Sequence, residues 1–111
     1  MTIQEVLTRT DNLLVNAVDE EQKLSWLKNI EDKIYKEVVL LHENPVEMTD
    51  FSDFENELIA PEPYDNLYIS YLIAQILYYT FETIRYNNAM ITFNQEYQEF
   101  CNYYNRENMP L

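Results

Sequence analysis

Apolar residues recur at helical spacing along the C-terminal part of the chain. The clearest stripe consists of apolar side chains three or four positions apart, with polar residues between them: Tyr86, Met90, Phe93, Tyr97, Phe100 and Tyr104. Residues at this spacing share one face of an α-helix. The stripe therefore predicts a helix over residues 82–106.

A second and more apolar stripe lies just upstream, made of Leu67, Tyr71, Ala74, Tyr78 and Phe81. It predicts a helix over residues 63–79, with a proline in the first turn, where its missing N–H costs nothing. Further apolar residues give this segment a second apolar face: Ile69, Leu72, Ile73, Ile76 and Leu77. A helix that is apolar on most sides is either central to its own bundle or covered by another chain.

The join between these two segments contains no Gly or Pro that would force a break. An unbroken helix from Tyr64 to Arg106 would be roughly 65 Å long at about 1.5 Å per residue, too long for a compact domain of 111 residues. Residues 79–82 include aromatic and β-branched side chains, which are weak helix formers. We therefore expect a bend near Tyr79–Glu82, and the pattern leaves open whether the result is one bent helix or two helices.

The N-terminal part of the chain predicts two further helices. Residues 2–5 (TIQE) have the Ser/Thr-x-x-Glu form of a capping box and predict a helix over residues 2–14. Asp19 offers a second N-cap, and Glu20 and Glu21 follow in the first turn, where acidic side chains suit the helix dipole. The next stripe predicts a helix over residues 19–42: Leu24, Leu27, Ile30, Ile34, Val38 and Leu41.

Residues 43–62 form an acidic connector that contains seven acidic residues and neither Lys nor Arg. About twenty residues is long for a connection without secondary structure. Four apolar residues are embedded in it: Phe51, Phe54, Leu58 and Ile59. The connector is either an exposed functional loop or a segment ordered by a partner, and its apolar residues are equally able to pin it to the core of its own domain. The pattern also allows a short helix around residues 50–57.

Composition favours an all-α protein. The 111 residues suit one domain, and the absence of Gly disfavours β-hairpins and tight turns with positive φ. We predict a small bundle of three to four helices, with a long C-terminal helical segment that is bent or broken and with an acidic loop.

The net charge of −13, from 20 acidic and 7 basic residues, narrows the range of partners. Phosphate contacts need Lys or Arg, so nucleic acid is disfavoured as a direct ligand, and so is an anionic membrane surface. An acidic chain suits a basic protein partner, and in the extreme case it mimics DNA. The alternative is that the acids simply keep an aromatic-rich surface soluble.

No catalytic, metal or cofactor site is predicted. The chain has one cysteine, Cys101, and one histidine, His42, so it has no disulfide framework and no set of zinc ligands. A single cysteine also fits a reducing compartment. A di-iron site needs Glu-x-x-His pairs, but Val39 stands three residues before the histidine. We expect His42 to compensate the dipole of a helix C-terminus.

Neither a signal peptide nor a membrane span is expected. The N-terminal residues lack a basic region followed by an apolar core. The apolar run from Leu67 is interrupted by Ser70 and Gln75 and is rich in tyrosine, unlike a spanning helix.

Protein–protein recognition is the function class that remains. Tyr, Trp and Arg are the residue types that anchor interfaces, and nine of the ten tyrosines follow residue 61. The candidate interface consists of Tyr64, Asp65, Tyr68, Tyr71, Tyr78, Phe81, Arg85, Tyr86 and Arg106. For Arg85, a lone base among acids, the alternative is an internal salt bridge.

Several short segments of the sequence have distinctive residue patterns. They are 61–65 (PEPYD), 67–68 (LY), 71–76 (YLxAQI), 85–90 (RYNNAM), 93–94 (FN), 103–106 (YYNR) and 109–110 (MP), with 26–27 (WL), 34–37 (IYxE) and 42–43 (HE) upstream. They resemble a group of small proteins encoded among the virion structural genes of tailed bacteriophages and prophages of Firmicutes. The likeness covers most of the chain except the acidic connector. Members of the group usually have a more polar, helix-breaking stretch where this chain has residues 77–81 (LYYTF).

The resemblance implies a head–tail connector (adaptor), a non-enzymatic α-helical protein that assembles as a ring under the portal of a siphovirus-type head. The implied partners are other copies of the chain, the portal protein and neighbouring neck or tail proteins. The implied location is the virion, after synthesis in the cytoplasm of the bacterial host. No cofactor, no direct nucleic-acid contact and no membrane contact are expected. The alternative, from a different class, is an acidic DNA mimic or inhibitor that binds a basic host protein.

Overall fold

Four α-helices and one short 3-10 helix make up the regular structure in the computed structural model, which describes residues 1–111. The α-helices are α1 (Ile3–Leu13), α2 (Glu20–Glu37), α3 (Asn66–Tyr79) and α4 (Thr83–Glu107), and the 3-10 helix covers Val39–Leu41. The prediction of an all-α bundle with a long C-terminal helical segment is confirmed. None of the helices combines the length and the apolar character that crossing a membrane requires.

A single cluster of 17 buried apolar residues forms the core. Every α-helix contributes to it: Ile3, Val6 and Leu7 from α1, Leu27, Ile30 and Ile34 from α2, Leu67, Tyr68, Ile69 and Leu72 from α3, and Phe93, Phe100 and Tyr104 from α4. The most extensive packing is between α3 and α4. The apolar stripes of the sequence therefore supply most of the core, although the last residues of the α2 and α3 stripes, Leu41, Tyr78 and Phe81, are exposed.

The capping box predicted at the start of α1 is present. The Thr2 hydroxyl accepts a hydrogen bond from the backbone N–H of Glu5 at 3.1 Å. The Glu5 carboxylate accepts one from the backbone N–H of Thr2 at 3.2 Å. These bonds satisfy N–H groups that the first turn of a helix leaves without partners, so α1 begins where its sequence predicts.

The end of α2 differs from the prediction. The stripe predicts a helix as far as residue 42, but the α-helix stops at Glu37 and the backbone tightens into the 3-10 helix. Val38 and Val39 stand at this change, and β-branched residues have low helix propensity because they lose χ1 freedom in a helix. The early end leaves Leu41, a residue of the predicted stripe, 57% exposed.

A tight turn separates α3 from α4, which run antiparallel. The N–H of Phe81 donates to the carbonyl of Tyr78 at 3.1 Å. The N–H of Glu82 donates to the carbonyl of Leu77 at 2.9 Å. This pair of bonds is a Schellman motif, which needs a left-handed residue and usually has Gly there. Phe81 takes that role with a φ of 62°, so the predicted bend is a full reversal between two helices.

The start of α3 also differs from the prediction, which has Pro63 in the first helical turn. The helix begins at Asn66. The residues before it form a turn closed by a hydrogen bond from the N–H of Tyr64 to the carbonyl of Pro61 at 2.8 Å. Pro63 therefore lies at the third position of a turn that precedes the helix.

The short helix around residues 50–57 does not form. Asp50 accepts a hydrogen bond from the backbone N–H of Ser52 at 2.9 Å. The Asp53 side chain accepts a hydrogen bond from the backbone N–H of Glu55 at 3.0 Å. Such local bonds from aspartate side chains favour turns and compete with helix formation.

The acidic connector packs on the core of its own chain. Leu58 and Ala60 are buried, and Phe51, Phe54 and Ile59 pack against the core. Backbone hydrogen bonds of 2.9 to 3.1 Å join the connector to the first residues of the chain. Among the alternatives left open by the sequence, the structure has the one in which the apolar residues pin the connector to its own domain.

Replacing Phe81 by Gly should raise the free energy of unfolding by about 0.5–1 kcal/mol. A non-glycine residue in the left-handed conformation costs roughly 1–2 kcal/mol, and the greater freedom of Gly in the unfolded chain offsets about 0.4–1 kcal/mol of the gain. Phe81 is 92% exposed, so little packing is lost. Urea unfolding followed by circular dichroism measures the change.

The control is Ile91→Gly, which changes an exposed residue inside α4 and should lower the stability by roughly 0.5 kcal/mol through helix propensity. A loss of similar size in Phe81→Gly would contradict the left-handed helix cap.

Candidate interaction surface

The turn between α3 and α4 carries a group of exposed apolar side chains. Phe81 is 92% exposed, Ile84 78%, Tyr78 66% and Tyr79 57%. Tyr86 lies beside them, with its ring centroid 5.2 Å from that of Tyr78. We call these five residues the apolar tip. Single exposed apolar residues are normal, and a group of them at one turn is a candidate interaction surface.

The local structure explains why these side chains are exposed together. Phe81 occupies the reversal of the Schellman turn, Tyr78 and Tyr79 lie in the last turn of α3, and Ile84 lies in the first turn of α4. Tyr79 also makes an edge contact with Trp26 of α2, with ring centroids 5.9 Å apart. The tip is therefore the end of a packed helical hairpin and not a free loop.

A shallow depression of about 240 Å³ lies at the tip, bordered by Tyr78, Phe81 and Tyr86. Pockets that bind small molecules usually enclose about 300–1,000 Å³. The depression is smaller than that range, and its size suits one or two side chains of a protein partner.

The charge at the tip is balanced. Arg85 and Glu82 form an ion pair of 2.9 Å, and both side chains are about half exposed. The internal salt bridge weighed for Arg85 is therefore present, although an exposed pair contributes little to stability. Both groups stay reachable from solvent at the rim of the apolar residues, and an apolar centre with a polar rim is typical of protein interfaces.

Two of the predicted interface tyrosines pack inside the hairpin. The ring of Tyr64 stacks on Tyr103, with centroids 4.5 Å apart. The ring of Tyr71 packs against Phe93 of α4 at 5.1 Å, and burial raises the pKa of its hydroxyl. With the tyrosine pair at the tip, these contacts make three aromatic pairs between the α3 and α4 segments. Tyr64 and Tyr71 therefore hold the hairpin together.

Asp65 and Tyr68 are buried, so their side chains are not exposed on the surface of the chain. Asp65 accepts a hydrogen bond from the amino group of Met1 at 3.2 Å, and Tyr68 belongs to the core. Arg106 is exposed in the last turn of α4, far from the tip. The structure brings four of the candidate residues together at the tip: Tyr78, Phe81, Arg85 and Tyr86.

Two residues of the tip, Tyr79 and Ile84, are missing from the predicted interface. Tyr79 is the first residue of the expected bend, and Ile84 lies two residues after its end. An apolar residue beside a helix break has no neighbouring turn to cover it, so their position next to the bend is the signal that identifies them.

A buried carboxylate holds the connector to the helices. Glu31 of α2 is fully buried, and it accepts hydrogen bonds from the Tyr68 hydroxyl at 2.6 Å and the Thr49 hydroxyl at 2.7 Å. A third bond comes from the backbone N–H of Ile59 at 2.9 Å. The Tyr68 hydroxyl accepts in turn from the N–H of Ala60 at 2.8 Å. We call these residues the Glu31 cluster; it joins α2, α3 and the connector.

Burial sets the protonation of this cluster. It raises the pKa of Glu31, because desolvation disfavours the charged carboxylate by more than the three hydrogen bonds favour it. Burial and the neighbouring carboxylate also raise the pKa of the Tyr68 hydroxyl well above its usual range. Glu31 stands four residues from Leu27 and three from Ile34. A charged residue on this apolar stripe is the sequence signal for the cluster.

His42 and Cys101 are both engaged within the fold. His42 is buried, with Nδ1 2.6 Å from the Val38 carbonyl oxygen and Nε2 2.8 Å from the Asn105 side-chain oxygen. The first contact satisfies a carbonyl at the end of α2. Burial raises the pKa of the Cys101 thiol, which disfavours the reactive thiolate. No group of three or more His, Cys, Asp and Glu side chains is arranged to hold a metal ion.

A wider groove of about 740 Å³ runs between the start of α1 and the end of the connector. Its lining includes the charged side chains of Glu5, Arg9, Glu57 and Glu62. Pockets for small molecules are mostly apolar, so this groove is a weaker candidate for a binding site than the apolar tip.

Tyr68→Phe should lower the free energy of unfolding by about 2–3 kcal/mol, since a buried polar group left without a partner costs roughly 1–3 kcal/mol. The change removes a donor from the Glu31 carboxylate and an acceptor from the N–H of Ala60. The control is Tyr97→Phe, whose hydroxyl bonds the exposed Glu37 carboxylate at 3.2 Å and whose loss should stay below about 1 kcal/mol. Equal losses in urea unfolding would contradict the role of the cluster.

The contribution of Glu31 to stability should depend on pH. Because its pKa in the folded protein is raised above the ordinary value of 4.5, the folded state binds the proton more tightly than the unfolded chain. That contribution is fully present below pH 4.5 and is lost as the pH rises through the folded pKa. The free energy of unfolding of the wild type minus that of Glu31→Gln should therefore fall from acidic to neutral pH.

Asp50→Asn provides a control of opposite sign. Hydrogen bonds from Ser52 lower the pKa of Asp50 below its ordinary value of 3.8. Its contribution is present above pH 3.8 and is lost as the pH falls. For each residue, the free energy of unfolding of the variant is subtracted from that of the wild type. If this difference changed with pH in the same direction for Glu31→Gln and for Asp50→Asn, burial of Glu31 would not be the cause.

Comparisons of the chain with protein-family models, with curated proteins and with solved structures find no match. Its function therefore has to be inferred from its own residues, and above all from the apolar tip.

Proposed function

We propose that the chain is a non-enzymatic structural protein of a tailed bacteriophage, a head–tail connector whose copies form a ring between the portal and the tail components. The observation that carries the proposal is the apolar tip, a group of large exposed side chains at the end of a helical hairpin. The choice of assembly follows the likeness of the sequence segments to head–tail connectors, for which the comparisons with known proteins find no match. In this role the protein is made in the host cytoplasm and resides in the virion.

The size of the tip suits one contact within a larger assembly. Its four most exposed side chains offer roughly 500 Å² of apolar surface, since a large side chain buries about 150–250 Å². Covering that surface gives on the order of 10 kcal/mol at about 25 cal/mol per Å², whereas association itself costs roughly 4–15 kcal/mol. The tip alone is therefore marginal for a stable complex, and it fits a subunit that several contacts hold in place.

The backbone of the turn and two tyrosines of the tip are held by contacts within the chain. The Schellman bonds fix the turn, Tyr78 packs on Tyr86, and Tyr79 packs on Trp26. Side chains that are already held lose little conformational freedom on binding, which lowers the cost of association. This order favours a built docking surface over an accidental exposure of apolar residues.

An acidic inhibitor is the second candidate function, and it is suggested by the acidic connector, residues 43–62. A DNA mimic presents its carboxylates to a basic partner. Three of the seven acidic side chains in the acidic connector, however, make bonds within their own chain. Asp50 and Asp53 hold turns, and Glu57 pairs with the amino group of Met1 at 2.9 Å. These three carboxylates are held by turns and by the amino terminus of the chain, and the inhibitor is therefore kept as the second of the two functions.

A pull-down of the tagged protein against the portal and neck proteins encoded beside it tests the proposal. The wild type should capture the portal at both low and high salt, because apolar contacts are not screened by ions. The double variant Phe81→Ser, Ile84→Ser should capture it at least about tenfold more weakly, since truncating an interface anchor costs roughly 2 kcal/mol or more. Phe81 and Ile84 are exposed, so the variant is expected to fold.

The matched control is Ile91→Ser, an equally apolar residue that is 65% exposed on α4 and lies away from the tip. It should capture the portal as the wild type does. Capture of a basic host protein alone, lost at high salt, would instead favour the acidic inhibitor. If the tip variant captured the portal as well as the wild type does, the tip would not be part of the interface.

A further inference from the structure

Two further exposed apolar side chains lie where α1 ends and the loop to α2, residues 14–19, begins. Leu13, the last residue of α1, is 69% exposed, and Val15 of the loop is 92% exposed. Neither belongs to the core. Their place relative to the apolar tip decides whether the two groups form one surface.

The loop and the apolar tip lie at the same end of the helical bundle. The contact between Glu31 and Tyr68 joins the second half of α2 to the first turn of α3. The contact between Trp26 and Tyr79 joins the first half of α2 to the last turn of α3. The two helices therefore run antiparallel, and α2 begins at the end of the bundle that carries the tip. Because the loop leads directly into α2, it lies at that end as well.

Polar contacts hold the loop in place. The ammonium group of Lys23 is buried in the first turn of α2 and pairs with Asp11 in the last turn of α1 at 2.7 Å. The side chain of Asn16 donates a hydrogen bond to the carbonyl of Leu14 at 2.8 Å and accepts one from the N–H of Val18 at 3.1 Å. The exposed apolar residues of the loop are therefore presented by a fixed backbone.

We call the apolar tip together with Leu13 and Val15 the extended tip. The apolar tip alone offers roughly 500 Å² of apolar surface, which is less than the roughly 800 Å² that a standard interface covers on each partner. Leu13 and Val15 supply part of the difference. The extended tip is therefore closer than the tip alone to the size of a complete docking surface.

Unpaired carboxylates stand at the same end of the bundle. Asp19, Glu20 and Glu21 are exposed at the start of α2, and no ion pair of the chain includes them. Asp19 occupies the N-cap position, but its side chain makes no capping hydrogen bond. Lys23 and Arg85, the bases in the first turns of α2 and α4, each already form an ion pair. The dipole of α2 contributes only about half a positive charge, so this end of the molecule remains negative.

Charge complementarity indicates what covers such a surface. Partners place opposite charges across an interface, and like charges that face each other disfavour binding. We propose that the extended tip docks an amphipathic segment of a partner protein that has apolar side chains at its centre and Lys or Arg at its edge. This inference rests on the proposed function for the use of the tip as a contact surface, and it names the chemistry of the partner.

Two synthetic peptides test the chemistry of the partner. One is a helix-forming peptide of Leu and Lys with its leucines on one face, about 18 residues long so that a helix can form, and the other has Glu in place of each Lys. The single tryptophan of the chain, Trp26, contacts Tyr79 of the tip, so its fluorescence reports binding there. The Leu/Lys peptide should bind the wild type, and the Leu/Glu peptide should bind at least about tenfold more weakly.

A double variant tests the contribution of the loop. Leu13→Ser with Val15→Ser should weaken binding of the Leu/Lys peptide about tenfold or more, because both side chains lose apolar surface that the peptide covers. The control is Ile91→Ser, which changes an exposed apolar residue of α4 away from this end and should bind the peptide as the wild type does. Circular dichroism checks the fold of each variant.

A pair of triple variants separates local charge from net charge. The first neutralises the carboxylates at the start of α2: Asp19→Asn, Glu20→Gln and Glu21→Gln. The matched control removes three charges from exposed residues of the acidic connector: Glu43→Gln, Glu47→Gln and Glu55→Gln. The first variant should weaken binding of the Leu/Lys peptide about threefold or more, and the control should weaken it less.

Several outcomes overturn the inference. Equal weakening by the two triple variants would mean that net charge alone attracts the peptide. Failure of the Leu/Lys peptide to bind, or equal binding of the Leu/Glu peptide, would reject the basic partner, and full binding by the loop variant would reject the extended tip. The single variants Val15→Ser and Glu20→Gln repeat the titration if a multiple variant fails to fold.

The portal pull-down distinguishes failure of this inference from failure of the proposed function. If the portal is captured while the loop and charge variants bind the peptide as the wild type does, the proposed function stands and the inference falls. If the peptide and its variants behave as expected while the portal is not captured, the head–tail connector is rejected and the partner is a different basic protein.

Discussion

The buried carboxylate of Glu31 is the constraint on which the rest of the structure depends. A charge removed from water is costly unless hydrogen bonds or neutralisation compensate it, and three donors surround this carboxylate. Two of the donors belong to the connector and the third belongs to α3. The carboxylate keeps all three only when α2, α3 and the connector have their native arrangement, so one buried group selects a single conformation for the longest irregular segment of the chain.

The fixed connector leaves the apolar tip of the α3–α4 hairpin exposed. Three aromatic pairs hold the two segments together along their length, so the tip is the end of one packed unit. The seven acids of the acidic connector lie outside residues 78–86, which contain one acid and one base. The most acidic segment of the chain and its most exposed apolar side chains are therefore separate.

Tyrosine serves three purposes in this fold because it joins a large apolar ring to one polar group. Tyr68 is buried, and its hydroxyl both donates and accepts within the Glu31 cluster. Tyr64 and Tyr71 use their rings to join the α3 segment to the α4 segment. Tyr78 presents its ring to solvent at the tip. A count of tyrosines therefore indicates an aromatic protein but does not by itself locate an interface.

The sequence by itself determined the elements whose causes are local. The capping box at Thr2, the helical period of the apolar residues and the absence of Gly act within a few residues, and the all-α class follows from them. The tertiary structure alone decided the left-handed turn at Phe81, the burial of Glu31 and which tyrosines reach solvent. Tyr68 and Tyr78 stand on the same helix with the same chemistry, and only neighbours from distant parts of the chain make one a core residue and the other a surface residue.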